Sequence, residues 1–381
     1  MDDMASSLVD QLDRLRGDQL DLLRRLVLSE SPSLVPTAHD NILAMLTAEL
    51  EALDLDVEYL PGEETGGHLL ARTPAGADGG QLLIGHCDTV WPLGTLSHMP
   101  LETDGGRMRG PGIYDMKAGL TQIIFALRAL QEVGVTPALP PIVFINSDEE
   151  IGSRESKPRI MELARQVERA LVLEPSLGPS GKLKTARKGV GRFMITVKGR
   201  AAHAGLDPEA GASAILELSF LIQQLFALND PGRGITVNVG MIDGGLRPNV
   251  VAPNSTATVD VRVLHQEDVP GIEEAIHGLQ PSTDGIELEI QGRIGRLPLE
   301  HNDRNRTLWK LAQECGNSLG MQLEEGTAGG GSDGNHTTLH TATLDGLGAV
   351  GDGAHAQHEY IDIEATLDRT ALLALLLATP A

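Results

Sequence analysis

Apolar positions along this chain follow two different rhythms. From residue 5 to 27, leucines recur at helical spacing with Arg and Asp between them, which predicts an amphipathic helix. Pro32 and Pro36 break the chain; Thr37 or Asp40 then caps a second helix whose stripe is Ile42, Met45, Leu46, Leu50 and Leu53. Strands are predicted at 57–60 and 68–72, followed by a turn over Pro74–Gly80. Leu82-Leu83-Ile84 comes next, a continuous apolar run with the character of a buried strand, and 141–145 and 170–173 repeat it. A loop and short hairpin fill 91–110, and a helix over 117–133 turns Ile123, Ile124, Leu127 and Leu130 inward. Alternating strands and helices of this kind predict an α/β fold around a doubly wound sheet.

Near Thr185 the rhythm changes. Residues 190–198, 235–242 and 256–264 alternate like half-exposed strands, helices are predicted at 211–228 and 269–279, and a strand at 286–290. The order βαββαβ is the ferredoxin-like arrangement, in a stretch long enough to form a domain. Afterwards α/β character resumes, with a helix at 305–319, a short strand at 346–350 and a closing helix at 363–377. The predicted organisation is a doubly wound, mixed-sheet domain made of 1–186 and 296–381, interrupted by an inserted α+β domain at 187–295.

Polar residues gather where the apolar runs end. The first buried strand exits into His86 and Asp88, the second into Asp148, Glu149 and Glu150, the third into Glu174, and the last into Asp352 and His355. Asp115 stands after the tight Gly110-Pro111-Gly112 turn, at the start of a helix. Taken singly, His86 and Asp88 make a polar turn and Asp115 makes a helix cap. Recurrence at successive strand ends points instead to one shared site, because ligands of open α/β sheets gather beyond the carboxyl ends of the strands. Two histidines among several carboxylates suit zinc, or a site tolerant of cobalt or manganese. A carboxylate bridging two metals roughly 3.5–4 Å apart lets the pair activate a shared water. A further carboxylate must then take that water's proton, and the neighbours Glu149 and Glu150 divide the roles of base and ligand.

Composition narrows the rest. The formal net charge of −23 argues against nucleic-acid binding without excluding a local basic pocket. No apolar run is long enough to cross a bilayer. The acidic start MDDMASSLVDQ lacks the features of a secretory signal, and Cys87 and Cys315 lie far apart. A reduced, cytoplasmic protein is expected.

Five motifs in order, GHCDTV at 85–90, GPGIYDMKAG at 110–119, SDEEIGS at 147–153, LEPS at 173–176 and GDGAHAQHE at 351–359, resemble those of the M20 family of co-catalytic metallopeptidases. The similarity is strongest to the glutamate carboxypeptidase subgroup. It implies His86, Asp115 and Glu174 at one metal, with Asp115 bridging to a second held by Glu150 and His355. Two zinc ions per subunit are implied, cobalt or manganese being alternatives. The resemblance further implies Glu149 as general base, Asp88 orienting His86, and a cis peptide between Asp115 and Met116. Within the inserted domain, KGRAAHAG at 198–205 is similar to a lid segment whose histidine, here His203, donates to the oxyanion. Asn249 and Arg262 match polar residues that bind the substrate's carboxylate, and Arg296 resembles another such arginine. The loop Gly329-Gly330-Gly331-Ser332-Asp333-Gly334 lacks the GK[ST] ending of a phosphate cradle and resembles a loop lining the substrate pocket, Gly330 included.

The expected activity is hydrolysis of an amide or peptide bond in a small acyl-amino-acid or peptide, releasing a C-terminal amino acid with a free carboxylate. An aminoacylase, deacylase or dipeptidase would use the same metals. A metal-dependent binding protein is the non-enzymatic alternative. The resemblance also implies a homodimer formed through the inserted domain.

Overall fold

The structure, a computed structural model, describes residues 1–74 and 79–380. The centre of the turn expected over 74–80 lies outside the described residues. Two compact units emerge. The first comprises Met1–Thr185, His301–Ala328 and Ser332–Ala381, and the second Ala186–Glu300 with Gly329–Gly331.

The first unit is built on a six-stranded mixed sheet. Its order is Asp56–Leu60, His68–Arg72, Pro141–Asn146, Gly80–His86, Val167–Val172 and Ala342–Leu344. The first two strands pair antiparallel, and His68–Arg72 pairs antiparallel with Pro141–Asn146. Gly80–His86 then runs parallel to both of its neighbours, and Ala342–Leu344 runs parallel to Val167–Val172. Every residue of Gly80–His86 is buried. A strand covered on both faces needs an unbroken apolar run, and this is why the pattern there does not alternate. Its side chains still point alternately to opposite faces. Leu83 packs with the helices Asp2–Leu28, Ala118–Glu132 and Ile363–Ala378 on one side. Leu82 and Ile84 face Ile160 and Leu163 of the helix Lys157–Ala164 on the other. The strand carrying the first histidine is thereby gripped from both faces.

One expected element is displaced. Residues 346–350 do not form a strand; the sheet's last strand is Ala342–Leu344. Gly346 takes a positive φ of 76°, and a Cβ on Gly348 would lie 2.2 Å from the Leu173 carbonyl oxygen. The glycines serve close backbone approach, which a regular strand with side chains would forbid.

The second unit contains an antiparallel sheet in the order Thr236–Gly244, Asn254–Val263, Gly189–Lys198, Glu287–Arg296. The helices Ala214–Ala227 and Val269–His277 supply Leu218, Leu221, Leu225, Ile272 and Ile276 to its core, against Phe193, Ile195, Val197, Val259 and Val261. Connectivity is βαββαβ, the ferredoxin-like arrangement. Residues 296–300 belong with this unit: Arg296 ends its last strand, and Leu299 exchanges backbone hydrogen bonds with Arg187. Arg187 also donates to the carbonyls of Gly330 and Gly331, which attaches the three-glycine segment to the same unit.

Candidate metal centre

The carboxyl ends of three adjacent parallel strands in the first unit deliver the acidic and imidazole groups to one place. Gly80–His86 ends on His86 itself. Pro141–Asn146 leads into a short 3-10 turn, Glu149–Ile151, and Val167–Val172 leads into Leu173-Glu174. Asp115 enters from the turn before the helix Ala118–Glu132, and the Asp115–Met116 peptide is cis, the geometry that the resemblance implied. His355 arrives from a turn after Gly351–Asp352 with φ of 60°.

Asp115 stands between the two histidines. Its Oδ1 lies 3.3 Å from His86 Nε2, and its Oδ2 lies 3.4 Å from His355 Nε2. His86 Nε2 is also 3.5 Å from Glu174 Oε1, and His355 Nε2 is 3.0 Å from Glu150 Oε2. Glu149 offers a carboxylate oxygen to the same cluster: ligand atoms of His86, Glu149 and Glu174 all lie within 4.8 Å of one another, as do those of His86, Asp115 and Glu150.

Protonation follows from this crowding. Burial disfavours an ionised Asp115, yet the hydrogen bonds from His355 and His86 hold its carboxyl well below the usual carboxylate range. Burial likewise opposes charge on His86, but Asp115, Asp88 and Glu174 outweigh it and raise the imidazole. Hydrogen bonds to Asp115 and Glu150 push His355 up to about 10. Burial pushes Glu150 up to about 7, and its Oε1 is buried without a hydrogen-bond partner. Protons on the imidazoles supply positive charge that the carboxylates otherwise lack. A divalent cation supplies that charge better and also satisfies the orphaned oxygen. The donor set, imidazole nitrogen and carboxylate oxygen, suits zinc, cobalt or manganese. The residues therefore fit a metal.

Asp88 does more than the sequence reading asked of it. Its Oδ1 lies 3.3 Å from His86 Nδ1, while its backbone carbonyl is 3.0 Å from the same nitrogen. A proton kept on Nδ1 by these contacts makes Nε2, beside Asp115 and Glu174, the nitrogen that would exchange its proton for a cation. The carboxylate also accepts from Ser33 Oγ at 2.6 Å and from the backbone amides of Glu149 and Glu150, both at 3.2 Å. It thus fixes the turn carrying both acidic neighbours. Three further groups, two of them inside the quoted motifs, were given no role of their own from the sequence. Lys184 Nζ lies 3.9 Å from Glu174 Oε2. Asp333 accepts from Asn146 Nδ2 at 2.5 Å and from Ser153 Oγ, tying the loop after Gly331 to the strand end. Glu359, fully buried, receives donors from the Asp115 turn. Only its position four residues after His355 hinted at a role.

The remaining predicted site residues belong to the second unit. His203 is exposed, and its Nδ1 accepts from the amides of Gly205 at 3.1 Å and Leu206 at 3.2 Å. Asn249 is exposed, with its carbonyl bound to the amide of Ala204. The Arg262 guanidinium is already paired with Asp260 through Nε at 2.7 Å and Nη2 at 2.9 Å. Arg296 lies beside the glycine segment, where a Cβ on Gly331 would come within 3.3 Å of its Cδ. Gly330 is exposed.

Comparison with known proteins identifies the family. The model of peptidase family M20/M25/M40 matches residues 82–379. The chain belongs to peptidase family M20. As an M20 protein it is a hydrolase of peptide or amide bonds in a metal-dependent family. Among its relatives, carboxypeptidase G2 of Pseudomonas sp. (strain RS-16) is 29% identical over 87% of this chain and 82% of the relative. An acetylornithine deacetylase of Proteus mirabilis (strain HI4320) is 30% identical over 68% of this chain and 70% of its own length. Similar solved structures include aminopeptidase PepT from Bacillus cereus ATCC 10987, with a TM-score of 0.78 and 21% identity over 95% of this chain and 98% of that one. The M20 metallo-carboxypeptidase Sso-CP2 from Sulfolobus solfataricus has a TM-score of 0.74 and 16% identity, over 94% and 98% of the two chains. At such identities the structural likeness speaks for the M20 fold alone.

Proposed function

We propose that this chain is a di-zinc hydrolase that cleaves an amide or peptide bond and releases an amino acid with a free α-carboxylate, in the manner of a glutamate carboxypeptidase. One observation carries the reading: Asp115 turns its two oxygens toward different histidines, each of which has its own second carboxylate. In this reading His86, Asp115 and Glu174 hold one cation, and Asp115, Glu150 and His355 hold the other; cobalt or manganese can replace zinc. Bound divalent cations polarise the scissile carbonyl and lower the pKa of the attacking water. Glu149 takes the water's proton and passes it to the leaving nitrogen. Asp88 keeps Glu149 and His86 in place through the contacts described above. His203 donates a hydrogen bond to the oxyanion. Support for that role comes from its ring: with Nδ1 accepting two amides, the neutral imidazole carries its proton on Nε2, ready to donate. Asn249, Arg262, Arg296 and Gly330 bind the substrate's carboxylate and backbone. For Arg262 this requires exchange of Asp260 for the substrate, a swap of one carboxylate for another.

The deacetylase relative favours a second reading, an N-acyl-amino-acid deacylase using the same metals. Purified holoenzyme assayed on acyl-glutamates, acyl-alanines, N-acetylornithine and dipeptides separates the two. The carboxypeptidase reading expects the highest kcat/KM on acyl-glutamates. A preference for a short acyl chain regardless of the released amino acid overturns it in favour of the deacylase. Metal uptake with turnover of none of them would leave a binding protein.

We further propose a homodimer formed through the second unit. The strand Thr236–Gly244 is the edge of its sheet, and it exposes Met241 at 70% and Ile242 at 67%, with Leu246 beyond it at 68%. The helix Ala214–Ala227 exposes Ile215, Leu216, Phe220 and Phe226. An apolar, unpaired edge of this kind invites a second copy. Replacing Met241 and Ile242 together by aspartate is expected to shift the protein from dimer to monomer in analytical ultracentrifugation; a monomeric parent protein would sink the proposal. A location in the cytoplasm is supported by two free, buried cysteines. Among the described residues no helix is long and apolar enough to cross a membrane.

A further inference from the structure

We propose that Glu359 is the positioning residue that keeps the two halves of the metal centre in register. The inference rests on the two-cation reading above. Glu359 is fully buried, and both of its carboxylate oxygens are saturated by donors. Oε1 accepts from the backbone amides of Tyr114 at 2.9 Å and Asp115 at 3.1 Å. Oε2 accepts from the amide of Gly112 and the indole Nε1 of Trp91, each at 2.9 Å. Three of these donors come from the turn that presents Asp115.

The same glutamate is fastened to the turn that presents His355. Its amide donates to the Ala356 carbonyl at 2.9 Å, and the Ala356 amide donates to Gly353 at 2.8 Å. Gly353 has φ of 86°, and a Cβ there would lie 2.9 Å from the backbone nitrogen and Cα of Glu359. The His355 turn is therefore folded back on Glu359, and Glu359 holds the Asp115 turn. Asp88, by contrast, holds the Glu149–Glu150 turn. The 3.4 Å approach of His355 Nε2 to Asp115 Oδ2 is set across this clamp.

Chemistry explains why an acid sits there despite the Asp115 carboxylate nearby. All four partners are donors, so the acceptor must offer lone pairs on both ends. Glutamine offers one; its amide nitrogen would face two N–H groups wherever it pointed. Leaving buried donors without an acceptor is costly enough to move the turn. Loss of the clamp should therefore act most on the cation that depends on both clamped turns, through Asp115 and His355, and less on the one that also has His86 and Glu174, which the clamp does not touch.

Titration of metal-free protein with Co(II), followed by visible absorption and calorimetry, tests this without reference to turnover. Wild type is expected to take two equivalents. Glu359→Gln is expected to keep the first and to bind the second about 10–100-fold more weakly, as losses beside metal ligands typically do, with the absorption increment of the second equivalent altered. Two equivalents of unchanged affinity and spectrum in Glu359→Gln overturn the clamp alone. One equivalent in wild type overturns the two-cation reading, and the clamp with it. If circular dichroism shows Glu359→Gln to be unfolded, Trp91→Phe decides: removing one donor of the four is expected to weaken the second equivalent about five-fold, and an unchanged second equivalent overturns the proposal.

Discussion

Replacing Glu149 by glutamine is expected to lower kcat by about 10²–10⁴-fold, the range general acid–base catalysis contributes, while metal content stays at the wild-type level. The two adjacent glutamates differ in their surroundings. Glu150 reaches His355 at 3.0 Å and is pushed up to about 7 by burial, the behaviour of a carboxylate waiting for a cation. Glu149 offers a carboxylate oxygen beside the ligand atoms of His86 and Glu174. Both backbone amides are held by Asp88, so a side-chain change at either position leaves the turn in place. Glu150→Gln is therefore expected to lower metal occupancy, and Glu149→Gln to lower turnover at full occupancy. Steady-state kinetics alongside elemental analysis of the same preparations reads both. Undiminished turnover in Glu149→Gln would defeat the base assignment, and loss of metal there would make Glu149 a ligand.

Stripping the metal with a chelator is expected to abolish hydrolysis, and reloading is expected to be strongly pH-dependent. In the metal-free cluster both histidines are raised above their ordinary value, His355 to about 10, which favours the protonated rings. A cation requires the unprotonated rings. Loading both cations at pH 7 is therefore expected to release about two protons, chiefly from the two histidines with a further share from Glu150, and the apparent affinity of each cation rises about 10-fold per pH unit. The sign is fixed by the direction of the shifts: affinity climbs as pH rises, until His355 is neutral near 10. Calorimetric titrations in two buffers of different ionisation enthalpy count the protons. No proton release would show that the histidines do not face the metal. At free metal 100 times its dissociation constant, the loaded protein gains about 2.7 kcal/mol, visible as a raised unfolding temperature.

Much of this was legible in the sequence, for a physical reason. Strands buried on both faces must be continuously apolar, so Leu82–Ile84 and the runs at 141–145 and 170–173 declared themselves, and the polar residues just beyond them had to lie at one edge of the sheet. The alternating strands of the second unit were equally readable, since one face of that sheet packs on helices. The last strand was misplaced because Gly346 and Gly348 sit in an apolar stretch whose purpose is close approach to Leu173, a tertiary demand that periodicity does not express. Side-chain partnerships across long separations were invisible for the same reason. Nothing local marks Ser33 as a donor to Asp88, or Lys184 as a neighbour of Glu174. Arg262 shows the same limit: the resemblance marked it for the substrate's carboxylate, but nothing local showed that Asp260, two residues away on the same face, pairs with it.

His86 and His355 stand at opposite ends of a long interruption that includes an independently packed unit. A ribosome moving at about 5–20 residues per second releases the second imidazole on the order of tens of seconds after the first. Until then the early segments present only a half-built cage, with several like charges and a single ring nitrogen. On the two-cation reading, capture of both ions therefore waits for the finished polypeptide.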